Sequence, residues 1–161
     1  AVSYVVNDGY HRAQQLLNQE LADKMYSHNE ITYTLSALLD KQRIAQIVAV
    51  PPTKEQGVYY ADYINTVFAD AASAYRNIQC VDIAPKGVSK ATGIAHLIHH
   101  LGLAQPQVFT LGDSFNDIPM LMTYYGIAMA HAQSDIHQAA KAIGHSLSEA
   151  IELAETIDLL K

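Results

Sequence analysis

From Ser89 onward the hydrophobic period switches repeatedly between helix and strand in short units, and no feature of the chain constrains its fold more tightly. Between Ser89 and Leu103, the apolar residues Ile94, Leu97, Ile98 and Leu101 recur at helical spacing, and Gly102 follows where a C-terminal cap belongs. Gln107–Leu111 is a short β-rich run that ends on Gly112-Asp113. Ile118–Tyr124 then reads as a short helix, Gly126–Ala130 as a short strand and Ser134–Ile143 as another helix. Elements alternating at this length predict a parallel α/β sheet, because parallel strands need a crossover between them. Toward the end, Glu149, Glu152, Glu155 and Asp158 lie opposite Ile151, Ala154 and Ile157, the pattern of a terminal amphipathic helix with a solvated face.

The chain before Ala84 has a different rhythm. Val2–Val6 reads as a strand, and Arg12–Met25 as a helix with Leu16, Leu17 and Leu21 on one face, after the turn signal Asn7-Asp8-Gly9. Ile44–Val50 is a second strand, stopped by Pro51-Pro52. A helix is expected over Glu55–Ala74, with Tyr59, Tyr63, Val67 and Ala71 near one face, followed by a strand over Ile78–Ile83 that Pro85 ends. The junction falls at Ala84–Gly87. A smaller α/β layer, residues 1–84, is therefore expected to precede the parallel unit, residues 85–161.

Composition excludes several classes. Half of the 161 residues are hydrophobic and 16% are charged, which gives a chain able to bury a core and excludes disorder. The net charge of −6 and the absence of a basic cluster argue against nucleic acid as a partner. No apolar run reaches the roughly 18 residues that span a bilayer, and no signal-peptide pattern opens the chain, so the expected location is the cytosol, away from membranes. The single Cys80 forms no internal disulfide and fits a small hydrophobe on a strand in a reducing compartment.

The segment Leu111-Gly112-Asp113-Ser114-Phe115-Asn116-Asp117-Ile118-Pro119 carries the most chemistry. A strand ending on Gly-Asp delivers the Asp113 carboxylate to the carboxyl edge of the sheet, where open α/β folds bind ligands. Pro119 suits the first turn of a helix, which makes Asn116 the expected N-cap. Asp113, Asn116 and Asp117 then converge. Two hard carboxylates and an amide facing a helix start suit Mg²⁺ and a phosphate. The alternative is that Asn116 merely caps the helix and Asp117 complements its dipole.

Lys90 is the second candidate. It follows Gly87-Val88-Ser89, with Ser89 as an N-cap, so its cation sits in the first turn of a helix, where it is mildly unfavourable unless the side chain reaches an anion. A bound phosphate would supply one, and solvent exposure is the alternative. His96, His99 and His100 read as an exposed helix face. His131 lies just past a strand end, where a place bordering the candidate site is open to it, though a position with no part in the site is the reading favoured by sequence. Tyr59, Tyr60 and Tyr63 either pack on their own sheet or line a substrate-facing surface.

Gly87-Val88-Ser89-Lys90, together with Gly112-Asp113-Ser114-Phe115-Asn116-Asp117 and Met120-Leu121, resembles the C-terminal half of haloacid dehalogenase superfamily phosphatases, with the Cof-type sugar phosphatases most similar. The resemblance implies a partial parallel Rossmann-like core preceded by part of an α/β cap. It implies that Lys90 binds the phosphate and the nucleophile, that Asp113 is a Mg²⁺ ligand, and that Asn116 and Asp117 complete the phosphate and metal shell. The substrate it implies is a small phosphorylated metabolite such as a sugar phosphate. Ile127-Ala128-Met129-Ala130 resembles the family strand after this loop, but Ala130-His131-Ala132 stands where the family commonly has Gly-Asn-Ala.

The family's nucleophile is the first Asp of an N-terminal Asp-x-Asp pair, and no two Asp residues in this chain are separated by a single residue. Asn7-Asp8-Gly9 lacks the first carboxylate. The resemblance therefore implies a piece of a larger enzyme, inactive alone and leaving an exposed sheet edge open to self-association. A non-catalytic phosphate- or metal-binding module of the same fold is the competing reading.

Overall fold

A computed structural model describes residues 2–6, 12–15, 44–77, 80–105 and 108–158. The chain divides into two compact units, residues 1–87 and 88–161. The expected mixture of helices with a parallel sheet is present in the second.

The first unit is built on strands β1 (Val2–Val6), β2 (Arg12–Gln15), β3 (Ile44–Ala49), β4 (Ala72–Asn77) and β5 (Cys80–Pro85). They form one sheet in the order β2-β1-β3-β5-β4, antiparallel at every neighbouring pair. Arg12–Gln15 is thus a strand and not the start of the expected helix. Its pairing with β1, in the register Val5↔Arg12 to Val2↔Gln15, overrides the helical period. Leu16, Leu17 and Leu21, which carry that period, lie outside the described residues, as does Asn7-Asp8-Gly9.

Helix α1 (Lys54–Val67) starts at Thr53, whose Oγ1 accepts from the Gln56 N–H at 3.3 Å. It stops well before the expected Ala74. The reason lies in Asn65, which acts as a strand would: its Nδ2 donates to Ala74 O and its Oδ1 accepts from the Ala74 N–H, both at 2.8 Å. With the Ala72 N–H donating to Phe68 O at 2.9 Å, the chain is drawn into β4 at the sheet edge. Small residues face the sheet. Gly57 and Ala61 are buried, and Ala61 packs with Ala74 and Val81 against Ala49, Ile64 and Ile83. Tyr59 and Tyr63 stay 62% and 45% exposed, so the tyrosines do not form the packing face. The Lys86 N–H donates to Ala71 O at 2.9 Å and ties the chain past Pro85 to this unit.

The second unit opens with helix α2 (Lys90–Leu101). Ser89 caps it reciprocally with Thr92, and Gly102 ends it at φ 66°, a left-handed conformation that costs glycine little. Strands β6 (Phe109–Gly112), β7 (Tyr125–Met129) and β8 (Ala142–Gly144) then form a parallel sheet in that order. Helix α3 (Ile118–Thr123) links the first pair and α4 (Ser134–Ala139) the second. The strand at Ala142–Gly144 replaces the end of the helix expected to reach Ile143. There the Lys141 N–H donates to Gly126 O at 2.8 Å and the Ala130 N–H to Gly144 O at 2.9 Å, so sheet pairing captures the segment. Helix α5 (Leu147–Asp158) closes the unit, with Ala150 buried.

Two apolar clusters hold this unit together. Leu121, Ala128 and Ile136 pack with Phe115 and Ile118, and Ala91, Met120 and Tyr124 pack with Ile94, Ile98 and Val108. The two buried polar groups nearest these clusters are satisfied: Thr110 Oγ1 donates to Met120 O at 3.2 Å and Tyr124 OH to Ala91 O at 3.1 Å. Among the described residues no helix is long and apolar enough to cross a membrane.

Candidate active site

The site is assembled where β6 and β7 end. β6 delivers Gly112 and then Asp113, and a single 3₁₀ turn, Phe115–Asp117, leads into α3 with Pro119 in its first turn. Asn116 therefore lies inside the 3₁₀ turn and is not the N-cap expected from sequence. Asp117 stands at the N-cap position of α3, but its side chain makes no capping bond to that helix. Its Oδ2 instead accepts from the backbone N–H groups of Asp113 and Ser114, each at 3.0 Å, charge-assisted bonds that close the loop behind it.

The other oxygen of Asp117, Oδ1, is hydrogen-bonded and ion-paired to Lys90 Nζ. This supplies the anion that the position of Lys90 requires. Asp117 is 3% exposed, so its charge is stabilised by two amide dipoles and one cation rather than by water. The Lys90 side chain remains 49% exposed, and its ammonium has donor capacity beyond Asp117. Gly112 is required by this packing. A Cβ there would lie 2.5 Å from Asp117 Cβ and 2.9 Å from Oδ2, closer than real side chains approach.

Asp113 occupies a different environment. Its side chain is 53% exposed, and its Oδ2 lies 3.0 Å from His131 Nε2, contributed by the turn after β7. The sequence reading groups Asp113 and Asp117 as one metal shell, whereas here one carboxylate faces outward and the other stands behind it, fixing the backbone from which Asp113 projects. Among the described residues no group of three or more His, Cys, Asp or Glu side chains gathers around one point. Asp113 fits a hard cation such as Mg²⁺ as one exposed carboxylate ligand, with water completing the shell. Both Asp117 oxygens already face nitrogen donors. His96, His99 and His100 lie on the exposed side of α2, away from these residues in the unit's chain order.

Two chemical details were not legible as site features: the demand for Gly112 and the role of Asp117 as an internal anchor. The signal for both is the Gly-Asp-x-x-x-Asp spacing, which returns the second carboxylate to the amides following the glycine.

Comparison with known proteins follows the same lines. Residues 1–151 match the haloacid dehalogenase-like hydrolase family, and the chain belongs to it. A HAD/COF-like hydrolase from Plasmodium vivax superposes with a TM-score of 0.80 at 21% identity, over 99% of this chain and 58% of that one. A phosphoglycolate phosphatase from Pyrobaculum aerophilum is 30% identical over 112 residues, 66% of this chain and 47% of that protein. The chloroplastic endoribonuclease YBEY of Arabidopsis thaliana is 25% identical over 142 residues, 84% of this chain but only 24% of that protein. The chain thus spans a quarter to about three-fifths of the lengths of these relatives.

Proposed function

We propose that these residues form the C-terminal part of a Mg²⁺-dependent phosphatase of the Cof type, acting on a small phosphorylated metabolite such as a sugar phosphate. In this reading residues 1–84 belong to a cap and 85–161 to the catalytic core. The observation that carries it is the linkage of Lys90, Asp117 and Asp113 at the carboxyl ends of parallel strands. A half-exposed ammonium and an exposed carboxylate are held rigidly by one buried carboxylate.

Lys90 binds phosphoryl oxygens with the donors that Asp117 leaves over, and Asn116 lies on the same turn to contact the phosphate. Asp113 holds Mg²⁺, which when bound neutralises charge on the phosphoryl oxygens. Asp117 keeps both groups in place, supporting the metal shell from behind. These roles are positioning and electrostatic, the terms that dominate phosphoryl transfer. The chain contains no Asp-x-Asp pair, so the nucleophile of such a reaction is not among its 161 residues.

The test is a phosphatase assay of the full reading frame encoding these residues, against a panel of sugar phosphates with Mg²⁺. Turnover that collapses in both Lys90→Ala and Asp113→Ala is expected. Turnover untouched by either substitution would refute the assignment and favour the non-catalytic module.

A further inference from the structure

We propose that His131 is a ligand of the ion held at Asp113, giving this chain a mixed nitrogen and oxygen site that favours Mn²⁺ and similar first-row ions over Mg²⁺. The proposal rests on the assignment of Asp113 as the metal carboxylate and adds a donor that the assignment does not include.

Geometry supplies the first reason. Two ligands at right angles on an ion with bonds of about 2.1 Å lie about 3.0 Å apart. His131 Nε2 and Asp113 Oδ2 are 3.0 Å apart, so both atoms can bind one ion with little movement. The backbone keeps them there. Gly112 and Ala128 are paired across the parallel strands β6 and β7, so Asp113 and His131 leave the same sheet edge on neighbouring strands.

Accessibility supplies the second. The side chains are 68% and 53% exposed, so an ion and its waters can reach both without opening a core. An exposed His–Asp hydrogen bond of this kind is weak and readily exchanged for metal bonds. Asp117, the other carboxylate of the segment, offers no competing oxygen, because Lys90 and two amides engage it.

Ligand chemistry then sets the preference. Imidazole nitrogen suits Zn²⁺, Ni²⁺ and Fe²⁺, with Mn²⁺ at the weak end of the first-row order but still open to it, whereas Mg²⁺ is held by oxygen ligands. With no third acidic, His or Cys group gathered among the described residues, water fills the remaining positions.

The test uses the 161-residue chain with Mn²⁺ alone and with Mg²⁺ as competitor. Pulsed EPR of the bound Mn²⁺ reports a directly bonded ¹⁴N, and competition gives relative affinity. The expected result is a ¹⁴N signal that disappears in His131→Asn while Mn²⁺ still binds, with the preference for Mn²⁺ falling by about tenfold. Circular dichroism of the variant checks that the fold is kept. If Mn²⁺ binding is lost in Asp113→Asn but the wild-type spectrum shows no ¹⁴N, His131 is not a ligand and only this proposal fails. If Asp113→Asn leaves binding and signal unchanged, or if the chain binds no Mn²⁺, both assignments fall.

Discussion

At the scale of single residues, Lys90 and Asp117 are one unit, and their substitutions should behave accordingly. Truncating Lys90 leaves a buried carboxylate with two amide donors and no cation, so Lys90→Ala should cost about 1–3 kcal/mol in urea unfolding, the cost of a lost charged hydrogen bond. Lys86→Ala, at an exposed turn, should stay within about 0.5 kcal/mol. Equal effects for the two lysines would contradict the pairing. From the sequence alone, the cation in the first turn of α2 is mildly unfavourable, and its removal is expected to leave stability nearly unchanged. The partner 27 positions away was not legible, because helical periodicity says nothing about which loop a first-turn side chain meets. Gly112→Ala should disturb the same anchor from the other side, since the added methyl meets Asp117 directly. Loss of about 1–3 kcal/mol is expected, measured in the same way. The placement of Asp113 at a strand end was legible from the Gly-Asp step, whereas the N-cap position given to Asn116 moved to Asp117 because a 3₁₀ turn over Phe115–Asp117 precedes the helix, a tight turn that periodicity does not reveal.

At the scale of elements, periodicity located the long helices and most strands but not β4 and β8. β8 has only three residues and β4 begins inside the run read as helix, and each is fixed by a partner elsewhere in the chain: Asn65 for β4 and β7 for β8. The tyrosines of α1 misled for a related reason. Large side chains suggest a packing face, yet the buried residues of the helix are the small ones, Gly57 and Ala61. Asn65→Ala removes both hydrogen bonds to Ala74 and exposes the outer edge of β4 to other strands. A loss of about 1–3 kcal/mol is expected, with increased thioflavin binding on heating; a variant as stable and as soluble as the parent would contradict it. On β5, burial first and the nearby Asp82 second raise the Cys80 thiol above its ordinary range. The folded state thus favours the protonated thiol. Stability contributed by Cys80 is fully present below the unfolded thiol pKa of about 8.5 and declines as pH rises through the higher folded value. Cys80→Ser should flatten that part of the stability profile, and the native thiol should react with disulfide reagents more slowly than free cysteine at neutral pH.

At the scale of the whole molecule, two features bear on behaviour in solution. Among the described residues β6 has a strand partner on one side only, and Leu97, Leu101 and Leu103 are 55%, 57% and 45% exposed. An unpaired parallel edge together with exposed apolar side chains should make the 161-residue chain self-associate with rising concentration, as measured by light scattering. Leu97→Lys with Leu101→Lys should reduce the association, and a strict monomer across the range would exclude it. Catalysis poses the sharper question. In the proposed function the residues assigned to phosphate and metal would act on charge that develops during transfer, but a phosphoryl group must pass to an acceptor, and Lys90, Asp113 and Asn116 would leave that step undone. A carboxylate nucleophile would need to be exposed and in line with the phosphorus. Asp117 is buried and paired, and Asp113 is assigned to the metal. The 161-residue chain should therefore show no phosphatase turnover even at saturating Mg²⁺ or Mn²⁺, while retaining its weak, Asp113-dependent ion binding. Activity that travels with the purified chain and vanishes in Asp113→Ala would overturn this. It would mean that a group within these residues, or a directly activated water, replaces the covalent step.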